Sequence, residues 1–168
     1  MKILFVYPEY PNTFWSFKYA LKFISKNATY PPLGLLTVAA MVPGEWEKKL
    51  VDLNVSRLTD RDLEWADYVF ISAMSIQEKS VRDIVGRCRA AGVKTVAGGP
   101  LFTSDYERFP EVDYLVLNEA ENTLPSFLKD LEKGEPKRIY TSNEWADMEK
   151  TPQPAWDLIR LYDYACMN

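Results

Sequence analysis

The chain has no histidine among its 168 residues, which removes imidazole as a metal ligand, proton shuttle or general base. Its two cysteines, Cys88 and Cys166, lie far apart and outside any metal-ligand spacing. Neither a disulfide framework, a zinc site nor an iron–sulfur cluster can therefore be assembled from its own thiols. Cys88 falls in helical register with Val81, Ile84 and Val85 and is expected in a core, whereas the sequence assigns nothing to Cys166. No apolar run reaches membrane-spanning length, and the opening Met1-Lys2-Ile3-Leu4-Phe5-Val6 meets Tyr7-Pro8-Glu9 too early for the apolar core of a signal peptide. A cytoplasmic protein without a membrane span is expected. Nor is there an excess of one charge: 20 basic against 24 acidic side chains give a formal net charge of -4. That balance leaves no footprint for nucleic acid or an anionic bilayer as partner.

What is present is hydrophobic content, 47% of the residues, enough at this length to bury one substantial core. Five apolar runs, at 3–7, 50–53, 68–72, 94–97 and 114–117, are too short and too β-branched for helices and read as strands. They are apolar almost throughout instead of alternating, so both faces are expected to be covered. The fold class that follows is α/β: a doubly wound, Rossmann-like or flavodoxin-like, five-stranded parallel sheet with helices on both faces, and 137–140 as an added edge strand.

Between the strands, Asn12 or Thr13 caps a helix carrying Phe14, Phe17, Leu21 and Ile24, and Pro31-Pro32 opens a second helical segment, 33–42, making the first crossover long. Thr59 begins a short helix through Leu63 and Ala66. Ser75 with Glu78 three residues on resembles a capping box for a helix that Gly92 closes, and a last helix through Thr123, Leu124, Phe127 and Leu131 stops at Gly134. The domain is expected over 1–140, with 141–168 a linker marked by Thr151-Pro152-Gln153-Pro154.

Ligands of open doubly wound sheets bind outside the carboxyl ends of the strands, and four of these five ends are distinctive. The first is Tyr7-Pro8-Glu9-Tyr10-Pro11, a proline-stiffened loop able to close over a flat ligand or to serve only as a rigid turn. The third is Ser72-Ala73-Met74-Ser75, in which Ser75 is explained by helix capping, while Ser72 interrupts a buried run and needs a partner, backbone or ligand. The fourth, Gly98-Gly99-Pro100, offers backbone that a bulky ligand can approach closely, or simply a tight turn. The fifth is Asn118-Glu119-Ala120-Glu121, whose carboxylates suit a helix N-terminus. Those carboxylates have no neighbouring base, so no catalytic residue is assigned.

The same ends exclude several classes. Ser72 stands where a receiver domain needs a phosphoacceptor aspartate. The first strand end lacks both the G-x-G-x-x-G of dinucleotide binding and the phosphate loop of a flavin site. Neither a Walker loop nor a G-x-S-x-G elbow is present.

Together, the start Lys2-Ile3-Leu4-Phe5-Val6-Tyr7-Pro8, the segment Pro31-Pro32-Leu33-Gly34-Leu35-Leu36, Ser72-Ala73-Met74, Ala97-Gly98-Gly99-Pro100 and Asn118-Glu119-Ala120-Glu121 resemble the cobalamin-binding domain of B12-dependent radical SAM proteins. The likeness covers nearly the whole chain. It extends to Pro154-Ala155-Trp156-Asp157-Leu158 and Tyr164-Ala165, which are similar to the segment leading into a radical SAM barrel with a C-x-x-x-C-x-x-C motif. That motif does not occur here, so a piece of a longer polypeptide is expected. The longer polypeptide would carry a [4Fe-4S] cluster and S-adenosylmethionine and act in methyl transfer or radical rearrangement on a hydrophobic substrate.

For this chain the resemblance implies cobalamin as cofactor, with the corrin over the strand ends and the nucleotide tail beside the sheet. Tyr7, Pro8, Glu9, Tyr10, Pro32, Leu33, Gly34 and Leu35 would flank the corrin. Ser72, Met74, Ser75, Gly98, Gly99 and Pro100 would meet the tail, and Asn118, Glu119 and Glu121 would border its pocket. Asn118 departs from a glycine common at that position. A bulky residue at Gly99 is then expected to abolish binding and spare the fold. The D-x-H-x-x-G signature of methionine-synthase-like domains cannot exist without histidine, so cobalt is expected to bind without it, its lower face empty, water-bound or covered by Tyr10 or Leu35. The alternative from another class is a cofactor-free α/β interaction module in which Gly98, Gly99 and Ser72 are structural.

Overall fold

The structure, a computed structural model, describes residues 1–12, 21 and 23–167. Six parallel strands form one sheet in the order β2-β1-β3-β4-β5-β6: β1 Lys2–Tyr7, β2 Glu47–Asp52, β3 Tyr68–Ser72, β4 Lys94–Gly98, β5 Tyr114–Val116 and β6 Ile139–Tyr140. The expected edge strand is β6, which makes the sixth. β2 begins three residues earlier than its apolar run because it is the other edge: Glu47 and Lys49 are exposed while Lys48 and Leu50 between them are half-buried, an alternation that one-sided cover allows.

Five helices among the described residues connect the strands: α1 Leu33–Met41, α2 Asp60–Trp65, α3 Glu78–Ala91, α4 Pro100–Asp105 and α5 Ala120–Glu132. The period-two alternation of side chains divides the core in two. Leu4, Val6, Val69, Ile71, Ala97 and Leu115 pack under α2, α3 and α4, where Cys88 is fully buried and burial pushes its thiol up to about 11. Ile3, Phe5, Phe70, Val96 and Val116 pack under α1 and α5. There Phe127 of α5 lies 6.1 Å from Phe70 and 5.5 Å from Tyr140, ring centre to ring centre, fixing α5 across the sheet.

Helix ends follow local chemistry in two places and depart from it in a third. Thr59 accepts from the Asp62 amide at 3.3 Å while the Asp62 carboxylate accepts from the Thr59 amide at 2.9 Å, a reciprocal cap for α2. Gly92 ends α3 in the left-handed region at φ 71°. The Ser75–Glu78 capping box does not form. A 3-10 turn over Ser75–Gln77 precedes α3, and the Gln77 side-chain oxygen Oε1 accepts from the Met74 amide at 2.9 Å. Glu78 is engaged elsewhere, with Arg82 at 2.9 Å and Arg108 at 2.7 Å, and the Arg82 hydrogen bond in the first place holds its carboxyl below the usual range.

The helix expected from Asn12 or Thr13, with Phe14 and Phe17, lies largely outside the described residues; of its other two positions Leu21 is buried and Ile24 exposed. Of residues 141–168, expected as a linker, the described ones turn back over the domain. Ala155 donates its amide to the Leu36 carbonyl at 3.1 Å, and Ala155 and Leu158 pack against the core cluster to which α1 belongs. Further on, the Asp163 carbonyl accepts from the Asn27 and Ala28 amides at 2.9 and 3.2 Å, and Tyr164 inserts into the interior.

Candidate functional site

The period-two rule places Tyr7, Ser72, Gly98 and Val116, near or at the carboxyl ends of four strands, on the α1/α5 face, in step with Phe5, Phe70 and Val96. Deep in the layer the side chains are large, but at the rim β3 ends in serine and β4 in glycine. Space therefore opens between the sheet and the two helices. A cleft of about 50 Å³ runs there, lined by Leu35 and Val38 of α1, Phe70 and Ser72 of β3, Val96 and Gly98 of β4, Val116 of β5, and Ala120 and Leu124 of α5, with Gly99 and Asn118 at its lip. Its walls are mainly apolar. Ser72 Oγ is the hydroxyl there, and no hydrogen-bond partner for it is found among the described residues.

The two glycines are required by the protein itself. A Cβ on Gly98 would lie 2.6 Å from the Val116 carbonyl oxygen, and one on Gly99, at φ 86°, would lie 2.7 Å from Ser72 Oγ and 3.1 Å from the Ala73 amide nitrogen. Gly99 also starts α4, which the sequence reading did not identify: the Pro100 that suggested a turn is the first helical residue. Asn118 holds φ 62°, a conformation natural to glycine and tolerated by asparagine. Its side chain donates to the Ser142 carbonyl at 2.7 Å and to Thr141 Oγ1 at 3.1 Å, pinning the loop after β6 beside the cleft.

A second group of residues gathers at the switch in strand order between β1 and β3. The Tyr7 and Tyr10 hydroxyls are 2.7 Å apart, and Tyr10 Oη donates to Met74 Sδ at 3.4 Å. Burial, first, and the Tyr10 bond raise the Tyr7 pKa well above the phenol range, so Tyr7 stays neutral. The loop is held from below by side chains that the sequence reading missed. Asn54 Oδ1 accepts from the Tyr10 amide at 2.9 Å, Asn54 Nδ2 donates to the Pro8 carbonyl at 3.2 Å, and the buried Gln77 donates to the same carbonyl at 2.6 Å. Asp52, 3% exposed, accepts from the Asn54 amide at 2.8 Å and from Tyr164 Oη at 3.0 Å. The signal was there as a carboxylate ending an apolar strand, which needs partners.

Burial raises the Asp52 carboxyl above its ordinary value, against the opposing pull of Asn54 and Tyr164. A raised value means that the neutral acid is favoured in the fold. Its share of stability is complete below the unfolded pKa and is lost as pH climbs through the folded one. We expect Asp52→Asn to escape that loss, because every other carboxylate titrates alike in both proteins. Urea midpoints compared from about pH 4 to about pH 8 should diverge in favour of the variant as pH rises, and a constant difference would refute the assignment.

The remaining expected positions distribute as follows. Leu35, Ser72, Gly98, Gly99 and Asn118 line the cleft. Pro100 and Glu119 line an adjoining open depression. Pro32 is buried at the start of α1 with Leu33 and Gly34 exposed beside it, and Met74 and Ser75 are exposed on the rim. The Glu9 amide donates to Ser80 Oγ at 2.9 Å. Glu121 is turned to the tail, accepting from Thr151 Oγ1 at 3.3 Å. Val38, Ala120 and Leu124 are cleft residues that only helix placement reveals.

A flavodoxin-like strand order with an apolar cleft and a tyrosine-bearing loop at the strand ends defines an α/β domain of the open doubly wound class, whose ligands in general bind at the carboxyl edge. The chain belongs to the B12 binding domain family, whose family model matches residues 24–128. It is 40% identical over 170 residues to an uncharacterized methyltransferase of Synechocystis sp., covering all of this chain and 32% of that protein. It is 33% identical over 168 residues to the hopanoid C-2 methylase of Rhodopseudomonas palustris, covering 97% of this chain and 32% of that protein. The chain thus spans about a third of the length of the curated relatives it matches. No helix among the described residues is long and apolar enough to cross a membrane.

Proposed function

We propose that this domain holds cobalamin with the corrin across the loop of Tyr7, Pro8, Glu9 and Tyr10 and the start of α1, and with the nucleotide base directed into the cleft beside Ser72 and Gly98. The observation that carries the reading is the cleft itself: apolar walls suit an aromatic base, and the Ser72 hydroxyl, for which no partner is found among the described residues, suits its ring nitrogen. At about 50 Å³ it holds a few water molecules, less than a fused bicyclic base needs. Admission therefore requires α1 and α5, which pack against each other, to part. The glycines do not carry the reading, since internal packing accounts for them.

With no histidine in the sequence, the residues of this chain would bind and orient the corrinoid without supplying an imidazole. Tyr7, kept neutral, offers a hydroxyl and not an anion to that surface. When bound, the corrinoid supplies a transferable methyl group. The protein's share is to hold the ring at the strand ends and keep the base away from the metal. Methyl transfer is the chemistry in the names of both relatives, and their greater length leaves room for a radical SAM barrel, with its [4Fe-4S] cluster and S-adenosylmethionine, into which a segment like residues 154–165 would lead. The domain is the carrier module of such a methyltransferase, joined to the barrel through residues 141–168.

Titration with hydroxocobalamin is expected to give saturable binding with the absorption spectrum of a corrinoid whose base has left cobalt. Silence at high micromolar cobalamin would overturn the cobalamin reading, and a base-on spectrum would overturn the tail path.

A further inference from the structure

Tyr164 is buried although Leu161 and Tyr162, just before it, are exposed. Its segment is fastened on both sides of it. The Asp163 carbonyl holds the Asn27 and Ala28 amides, the Ala165 amide donates to the Ala28 carbonyl at 3.0 Å, and the Cys166 amide donates to the Thr29 carbonyl at 3.1 Å. Asn27 Nδ2 donates to Asp163 Oδ1 at 2.9 Å, and Arg160 pairs with the same carboxylate at 2.6 Å. With the segment seated in this way, a phenyl ring would fill the interior as well as a phenol does. The hydroxyl needs its own explanation, because it and the Asp52 carboxylate both leave water to meet at 3.0 Å.

The residues beyond Asp52 supply one. Tyr164 Oη holds Asp52 Oδ2, which leaves Oδ1 facing Asn54; there it accepts from the Asn54 amide at 2.8 Å and from Asn54 Nδ2 at 2.7 Å. A carboxamide whose nitrogen is claimed by a carboxylate can face only one way. The second hydrogen on Nδ2 goes to the Pro8 carbonyl, and Oδ1 is left to receive the Tyr10 amide. Pro8 shares its carbonyl with Gln77 Nε2, and Gln77 Oε1 receives the Met74 amide. Tyr164 thus stands at one end of a continuous run of hydrogen bonds that reaches both the 7–10 loop and the loop after β3. A network with each member satisfied favours a single arrangement.

We propose that Tyr164 is a positioning residue: by holding Asp52 Oδ2 it presents Oδ1 to Asn54, orients the Asn54 carboxamide and so sets the 7–10 loop at the carboxyl edge of the sheet. Seating of residues 160–166 and the shape of that edge are then linked, and a ligand that needs the set loop tightens the tail by the factor by which the seated tail tightens the ligand. The positioning stands on the hydrogen bonds alone, while its effect on corrinoid affinity rests on the cobalamin reading.

The test uses Tyr164→Phe, which keeps the buried ring and removes the hydroxyl, in the natural background and in Asn54→Ala, where the run is already cut. Two quantities are read, hydrogen exchange of the Tyr10 amide by NMR and hydroxocobalamin affinity by absorption titration, with the thermal midpoint reporting global stability. Tyr164→Phe alone should speed exchange at Tyr10 and weaken cobalamin about five-fold, and should change neither further once Asn54 is alanine. A side chain that only anchors the tail would lower the midpoint and act equally in both backgrounds. That equality, or a Tyr10 amide indifferent to the hydroxyl, overturns the proposal, and a loop that responds while cobalamin affinity does not overturns the link to the ligand. If wild type binds no cobalamin, the cobalamin reading fails, and the exchange comparison by itself decides whether Tyr164 sets the loop.

Discussion

Replacing Gly99 by alanine is expected to destabilise the whole domain instead of deleting binding alone. Its backbone, φ 86° and ψ 178°, lies in a region essentially restricted to glycine, which costs a substituted residue on the order of 1–3 kcal/mol. The added Cβ would also meet Ser72 Oγ at 2.7 Å and the Ala73 backbone at 3.1 Å, an overpacking that costs about 1–3 kcal/mol more. Against a domain stability of roughly 5–15 kcal/mol the sum is a large fraction. Gly98→Ala should behave alike, because its Cβ at 2.6 Å from the Val116 carbonyl oxygen forces β4 away from β5. Urea unfolding should show lower midpoints for both, with corrinoid affinity falling in parallel. A Gly99→Ala protein with the wild-type midpoint would refute the packing argument, and the expectation that a bulky residue there spares the fold is withdrawn on the same geometry.

The substitution that should separate binding from folding is Val38→Phe. Val38 is half-buried on α1 and lines the cleft, so the larger ring can occupy space that the protein leaves open. The thermal midpoint is expected to hold or rise slightly, since filling a void is a common stabilising change. Cobalamin affinity should drop at least about ten-fold. Unchanged affinity with an intact midpoint would show that the base does not use this cleft.

The contrast between these positions shows what could be read from residues alone. The Thr95-Val96-Ala97 run and the apolar runs parallel to it gave strand positions, because a strand buried on both faces must be apolar throughout. The reason for the glycines was not legible. Whether a missing side chain makes room for a ligand or for the neighbouring strand depends on where Val116 and Ser72 come to rest, and both are distant in sequence. Ser75 failed as a cap for a related reason: Gln77 reaches the Met74 amide and the Pro8 carbonyl, while Glu78 is drawn to Arg82 and to Arg108 from another segment. Local capping rules do not see either competitor.

By itself, then, the sequence determined the α/β class, the parallel sheet and the buried Cys88, all of which follow from composition and short-range periodicity. Only the tertiary structure decided that Ser72 and Gly98 leave a cleft under α1 and α5, and that Tyr164 returns to the buried Asp52. Those are contacts between residues far apart along the chain, fixed by how helices seat on a twisted sheet, and no local pattern encodes them.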